Sequence, residues 1–170
     1  MSGPVSRTEK APAPRVTILC GPAGAGKTTL ARRLEADGAL RLSMDLAVWE
    51  DGWRGQWPPH ERMLELDAVL QYRLADTVRA GRDVVVDMSA SVREVRDVWR
   101  DLAVRCGAEH RLIVVTADRR TLVRRVAARE GQEGPDVVHL EEARLLAYIE
   151  GFGWPGPDEP HTLVDTSERG

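Results

Sequence analysis

The sequence predicts an α/β fold in which a five-stranded parallel sheet, doubly wound, is covered by helices on both faces. Three observations carry that reading. Short β-branched apolar runs alternate along the chain with longer stretches whose apolar residues recur at helical spacing. The runs are continuous, without the polar alternation of a half-exposed strand, so both of their faces are buried. Glycine or proline closes many of the segments.

Taken in order, RVTILC (15–20) is a buried strand ended by Gly21 and Pro22. A helix over 26–36 follows on Leu30, Ala31 and Leu34, with Gly38 as its C-terminal stop. ALRLSMD (39–45) is a second strand, weakened by the arginine and serine in its apolar run. The longest helix spans 60–80, with Met63, Leu66, Leu70, Leu74 and Val78 on one stripe and Gly81 beyond. DVVVDM (83–88) is the third strand. Ser91 and Glu94 have capping-box spacing for a helix running to about Cys106. HRLIVVT (110–116) is the fourth strand, followed by a helix from Asp118 to about Glu130 and a Gly/Pro/acidic loop over 131–136. A helix from His139 to about Gly151 and a strand HTLVDT (161–166) complete the pattern.

Length and composition bound what this fold can be. A chain of 170 residues with 42% apolar side chains suits one domain with one core, here placed at 15–170. The first fourteen residues, rich in proline and without an apolar signal-peptide core, are expected to be a disordered leader. No apolar run reaches the roughly 18–20 residues that span a bilayer, so no membrane is expected as partner. The net charge of −3 argues against a duplex-binding surface. Two cysteines cannot make a disulfide scaffold, and reduced thiols point to the cytoplasm. The four histidines lack the spacing of a zinc site. Only Lys10 and Lys27 among the 24 basic residues are lysine.

In doubly wound sheets ligands sit beyond the carboxyl ends of the strands, which directs attention to 21–28, 45, 87–89 and 116–118. The octet Gly21-Pro22-Ala23-Gly24-Ala25-Gly26-Lys27-Thr28 matches G-x-x-x-x-G-K-[ST] where that motif must lie, after a strand and opening a helix. Its glycines let backbone N–H groups wrap a phosphate, and the helix, continuing through Thr29, adds its positive end. Lys27 supplies a cation to the β- and γ-phosphates and Thr28 a hydroxyl for Mg²⁺. Asp87, ending a central strand, is a second Mg²⁺ candidate, or else touches the substrate or caps a turn. The chain thus reads as a P-loop NTPase. It carries no N-K-x-D guanine motif and is too short to add the lid and sensor domain of an AAA+ machine.

The order and spacing of GPAGAGKTTLARRL, the Ser43-Met44-Asp45 triplet, AGRDVVVDMSAS, REVRDVWRDLAVRCGAEHRLIVV, LVRRVAARE and WPGPDEPHTLVDT resemble one known group. It is the P-loop kinases that include chloramphenicol phosphotransferase, the zeta toxins and the polynucleotide kinase domain, the AAA_33-type ATP-binding proteins. The resemblance implies a three-layer α/β/α, nucleoside-monophosphate-kinase-like domain with a small helical lid, using ATP and Mg²⁺. It implies that Asp45 takes the proton of the acceptor hydroxyl, although the residue also suits a helix N-cap. It implies that a lid arginine meets the triphosphate, and Arg125 with Arg129 are an i,i+4 pair suited to that. It places an acceptor-binding region after Asp45, where Trp49, Trp53 and Trp57 fall in a Gly- and Pro-broken segment with Arg54. The expected reaction is γ-phosphate transfer to a hydroxyl of a small molecule, an antibiotic or a metabolite, by a monomer or homodimer. A polynucleotide 5′-hydroxyl kinase and a P-loop ATPase or regulatory nucleotide-binding protein are the rival readings.

Overall fold

Alternate residues of each central strand bury on opposite sides, and each side meets helices. The computed structural model describes residues 12–137 and 141–167. Its strands are β1 (Arg15–Cys20), β2 (Leu40–Ser43), β3 (Val84–Asp87), β4 (Glu109–Thr116) and β5 (Thr162–Asp165). Its helices are α1 (Lys27–Ala36), α2 (Met44–Glu50), α3 (His60–Arg79), α4 (Arg93–Arg105), α5 (Arg119–Ala127) and α6 (Glu142–Glu150). The strands form one sheet in the order β2-β3-β1-β4-β5, and every adjacent pair is parallel.

Val16, Ile18 and Cys20 of β1 and Val84 and Val86 of β3 pack on one face with Leu70, Leu74 and Val78 of α3 and Trp99 of α4. Leu19 of β1, Val85 of β3 and Ile113 of β4 pack on the other with Ala31 of α1 and Leu122 of α5. The period of two therefore survives in which face a residue takes, although both sets are apolar. This is the three-layer α/β/α arrangement expected. Neighbouring strands β1 and β3 send their next helices, α1 and α4, to opposite faces. A crevice opens between their carboxyl ends, and the site occupies it.

Three local expectations are corrected. The second strand does not run to residue 45: it stops at Ser43, and Met44 and Asp45 begin α2. The Ser43 hydroxyl accepts from the Leu46 N–H at 3.2 Å, so Ser43 is the N-cap and Asp45 lies in the first turn. The capping box at Ser91 and Glu94 does not form; α4 starts later, with Val92 as N-cap and no side-chain cap bond. The Ser91 carbonyl instead accepts from Gly153 N–H at 2.9 Å, which ties the loop before α4 to the segment after α6. The fifth helix ends at Ala127 rather than near Glu130. A helix start at His139 falls on 138–140, and most of the expected leader on 1–11, both outside the described residues. Among the described residues no helix is long and apolar enough to cross a membrane.

Candidate active site

The phosphate loop lies between β1 and α1, held from below by residues far along the chain. The Gly21 amide donates to Ser89 O at 3.0 Å, tying the loop to the end of β3. Gly21 is demanded by packing as much as by a ligand. A Cβ there would sit 2.0 Å from Val115 O of β4, at a φ of +153°. Thr166, just past β5, donates its hydroxyl to Ala25 O at 2.7 Å. Among the described residues, the amides of Gly24, Gly26, Lys27 and Thr28 donate to no other backbone group. They leave a nest of N–H groups at the first turn of α1, which suits an anion.

Lys27 is the first residue of α1, and its ammonium donates to Pro22 O at 2.9 Å. Burial pulls its pKa down, while the nearby Asp87 and Asp45 carboxylates pull it back up. Asp45 experiences the converse. Burial, reinforced by Asp87 and Asp136 against the opposing pull of Lys27 and Arg41, pushes its carboxyl up to about 6. A carboxylate poised there is ionised at neutral pH and still basic enough to accept a proton. Lys27, Thr28, Asp45 and Asp87 all line one cavity of about 500 Å³.

Asp87 ends β3 fully inside the protein, and its partner is one the sequence reading passed over. Arg41 of β2, only 8% exposed, donates to Asp87 Oδ2 through Nε at 2.9 Å and approaches it through Nη2 at 2.7 Å. The same Nη2 also donates to Asp136 in the loop after α5, and Arg32 of α1 bonds the other Asp136 oxygen at 2.6 Å. Burial works against the Arg41 charge, but the bonds to Asp136 and Asp87 outweigh it and raise its pKa. One buried guanidinium thus joins the end of β3 to the loop after α5. The signal was an arginine inside an apolar strand. Its meaning was hidden because Asp136 stands 95 residues away.

These residues also fit a magnesium ion. Among the described residues, no group of three or more His, Cys, Asp or Glu side chains could hold a metal by itself. Mg²⁺ needs no such cage beside a nucleotide, since one or two protein oxygens, phosphates and waters suffice. Asp87 keeps Oδ1 free of the Arg41 bonds, and Thr28 brings a hydroxyl to the same cavity.

The structure parts the two predicted lid arginines. Arg129 lines the cavity and donates to Asp136 O at 3.4 Å. Arg125 turns under the phosphate loop. Its Nη1 donates to Thr166 Oγ1 at 2.9 Å and to Gly24 O at 3.2 Å, and its Nη2 to Thr166 O at 2.7 Å. The tryptophans are parted as well. Trp57 lines the first cavity and a second of about 570 Å³, and Asp45 also borders both. Trp49, Trp53 and Arg54 line only the second, where the Arg54 guanidinium stands 5.1 Å from the Trp49 ring centroid.

Three further features escaped the sequence reading. Arg96 of α4 is buried and pairs with Glu159 through Nε at 2.9 Å and Nη2 at 2.7 Å. Its Nη1 bonds Ala90 O at 2.9 Å, which holds Ala90 at a φ of +46° beside the cavity. Asp67 and Met63, one turn apart on α3, reach the same cavity. So does Tyr148 of α6, whose buried hydroxyl has no partner among the described residues.

A family model described as AAA domain matches residues 16–155. No curated protein matches the chain. Among solved structures, it resembles a gluconokinase from Sinorhizobium meliloti 1021, at 20% identity and a TM-score of 0.64 over 93% of this chain and 86% of that one. It resembles the Mycobacterium tuberculosis APS kinase CysC, seen with AMPPNP and APS, at 16% identity and a TM-score of 0.62 over 91% and 90% of the two chains. A chain of the Pnkp1/Rnl/Hen1 RNA repair complex matches 86% of this chain over 46% of its own length, at 17% identity and a TM-score of 0.68. At such identities the likeness establishes the P-loop kinase fold.

Proposed function

The chain belongs to the AAA_33 family of AAA domains, and from that premise we propose that it is an ATP-dependent phosphotransferase acting on a hydroxyl of a small molecule. The observation that carries the reading is Asp45. A carboxylate with its pKa raised to about 6 shares one cavity with the phosphate-loop lysine and threonine. The solved structures named for gluconokinase and APS kinase activity lend the same direction.

In this mechanism the amides of Gly24, Gly26, Lys27 and Thr28 and the Lys27 ammonium bind the triphosphate. Thr28 and Asp87 would hold Mg²⁺, which neutralises charge on the phosphates when bound. Arg129 contributes its fork of donors from the lid side, and Arg125 keeps the loop in shape from beneath. Asp45 accepts the acceptor hydroxyl proton as that oxygen bonds to the γ-phosphorus. The bond from the γ-phosphorus to its bridging oxygen breaks, and ADP leaves with the electron pair.

The test is transfer of labelled γ-phosphate from ATP to a panel of alcohols. Wild type should label at least one alcohol faster than water, and Asp45→Asn should bind ATP normally but transfer nothing. Hydrolysis that no alcohol stimulates, or full transfer by Asp45→Asn, would overturn the assignment.

A further inference from the structure

The first cavity is lined by two chemically different sets of residues. The phosphate loop and the lid supply Lys27 and Arg129, the only cations lining it among the described residues. The rest of the lining includes Met44 of α2, Met63 of α3, Val95 of α4 and Tyr148 of α6, with Met88 after β3 and Trp57 before α3. Every methionine of the described residues lines this cavity. Such side chains are apolar and adapt to irregular bodies.

Charge accounting singles out one residue in that apolar wall. Arg41 holds Asp87 and Asp136, and Asp45 stands in the field of Lys27. Asp67 pairs with no cation among the described residues. Its one hydrogen bond comes from Gln71 Nε2, at 2.6 Å to Oδ2, leaving Oδ1 free. The Tyr148 hydroxyl, which lines the same cavity, also has bonding capacity left. An anionic acceptor here would meet carboxylates and compete with the triphosphate for the two lining cations, Lys27 and Arg129. The cations open to such a molecule, Arg54 and Arg144, lie in the second cavity with the lid loop.

We infer that the acceptor is an amphiphilic amino alcohol, with an apolar body against the methionines, its hydroxyl at Asp45 and its ammonium at Asp67. This rests on the phosphotransferase reading for the hydroxyl end alone.

The test uses three probes that share one aromatic body: phenylalaninol (cationic), 3-phenyl-1-propanol (neutral) and 3-phenyllactate (anionic). Binding is measured by calorimetry to the full chain loaded with AMP-PNP and Mg²⁺. Phenylalaninol should bind about tenfold more tightly than 3-phenyl-1-propanol, as a charge-assisted bond provides, and 3-phenyllactate more weakly than either. Asp67→Asn should erase the tenfold preference while leaving the neutral alcohol within about twofold. Asp67→Glu should keep a preference, and an unchanged AMP-PNP affinity in both variants shows that the fold is intact. Equal or tighter binding of 3-phenyllactate, a preference that survives Asp67→Asn, or no binding by any probe would overturn the inference. Transfer, measured separately with ATP and Mg²⁺ in place of AMP-PNP and the same three probes, separates the two readings. Asp67-dependent binding without transfer sinks the phosphotransferase and leaves the amine site. Transfer that ignores both amine and Asp67 does the reverse.

Discussion

Replacing Asp45 by asparagine should make the protein more stable at neutral pH while abolishing transfer. The size of the gain follows from the carboxyl's displacement, from an ordinary 3.8 to about 6 in the folded chain. In the unfolded chain Asp45 ionises near 3.8, whereas in the folded chain it holds its proton until about 6. Between those values the folded state binds more protons, so stability falls as pH rises through the window and the full penalty applies above it. Each pH decade is worth 1.36 kcal/mol, so about 2–3 kcal/mol of strain is stored at pH 7.5. Asparagine keeps the shape and removes the charge. It should raise the unfolding free energy by about 2–3 kcal/mol at pH 7.5, or the melting temperature by about 5–10 °C. Near pH 4 the two proteins should converge. Urea unfolding of the nucleotide-free proteins at both pH values measures this directly. Loss of stability at pH 7.5, or an equal gain at both pH values, would show that burial does not load this carboxylate. The kinetic counterpart is an acid limb, in which wild-type kcat/KM for the acceptor falls below a pH of about 6.

Three other outcomes follow from residues outside the chemistry of the base. Lys27→Arg should weaken ATP binding by about tenfold or more in calorimetry, because the bulkier guanidinium replaces a compact charge at the buried start of α1. Glu159→Gln leaves the buried Arg96 charge without its anion and should cost about 3–5 kcal/mol in urea. The Arg96 hydrogen bonds hold the Glu159 carboxyl down at about 2. The wild-type advantage is therefore complete above pH 4.5, fades as pH falls toward 2, and should vanish there relative to the variant. Gly21→Ala drives a methyl into Val115 O and should prevent accumulation of folded protein. Gly38→Ala, where nothing stands within 4 Å, should cost only about 1–2 kcal/mol for its left-handed backbone. Equal soluble yields of the two alanine variants would refute the packing argument for Gly21.

What could be read from sequence was local, and what could not be read was not. The apolar runs of β1, β3 and β4 were legible because burial on both faces leaves a continuous apolar signature, whereas β2, broken by Arg41 and Ser43, and the exposed edge strand β5 carry that signature only in part. The phosphate loop was legible because its chemistry needs adjacent residues. The start of α2 was missed although its signal, a serine followed by Met44-Asp45, was present, since the same residues also fit a strand end. The capping-box pattern at Ser91 and Glu94 misled because Gly153 claims the Ser91 carbonyl, a bond spanning 62 positions that no local pattern records. Arg41, Arg96 and Asp67 take their meaning from partners or cavity neighbours on other elements.

The arginine excess illustrates that limit most directly. With only two lysines among 24 basic residues, it reads as compositional bias. At two positions the structure gives it a physical use. Arg41 reaches Asp87 and Asp136 at once, and Arg96 bonds Glu159 with two nitrogens while a third serves two backbone carbonyls. At Arg96 a lysine ammonium, with its single nitrogen, could not serve both Glu159 oxygens and the Ala90 and Gly153 carbonyls, so the substitution would leave a buried acceptor without a donor. At Arg41, where Nη2 alone touches both carboxylates, lysine would forfeit the further bond that Nε makes to Asp87. Lys27 has the opposite requirement. Its ammonium makes one hydrogen bond, to the Pro22 carbonyl of the loop, whose free amides already present several donors, and what the cradle lacks is one compact positive charge. The distribution of Arg and Lys at these three sites therefore follows the number of acceptors each cation must reach.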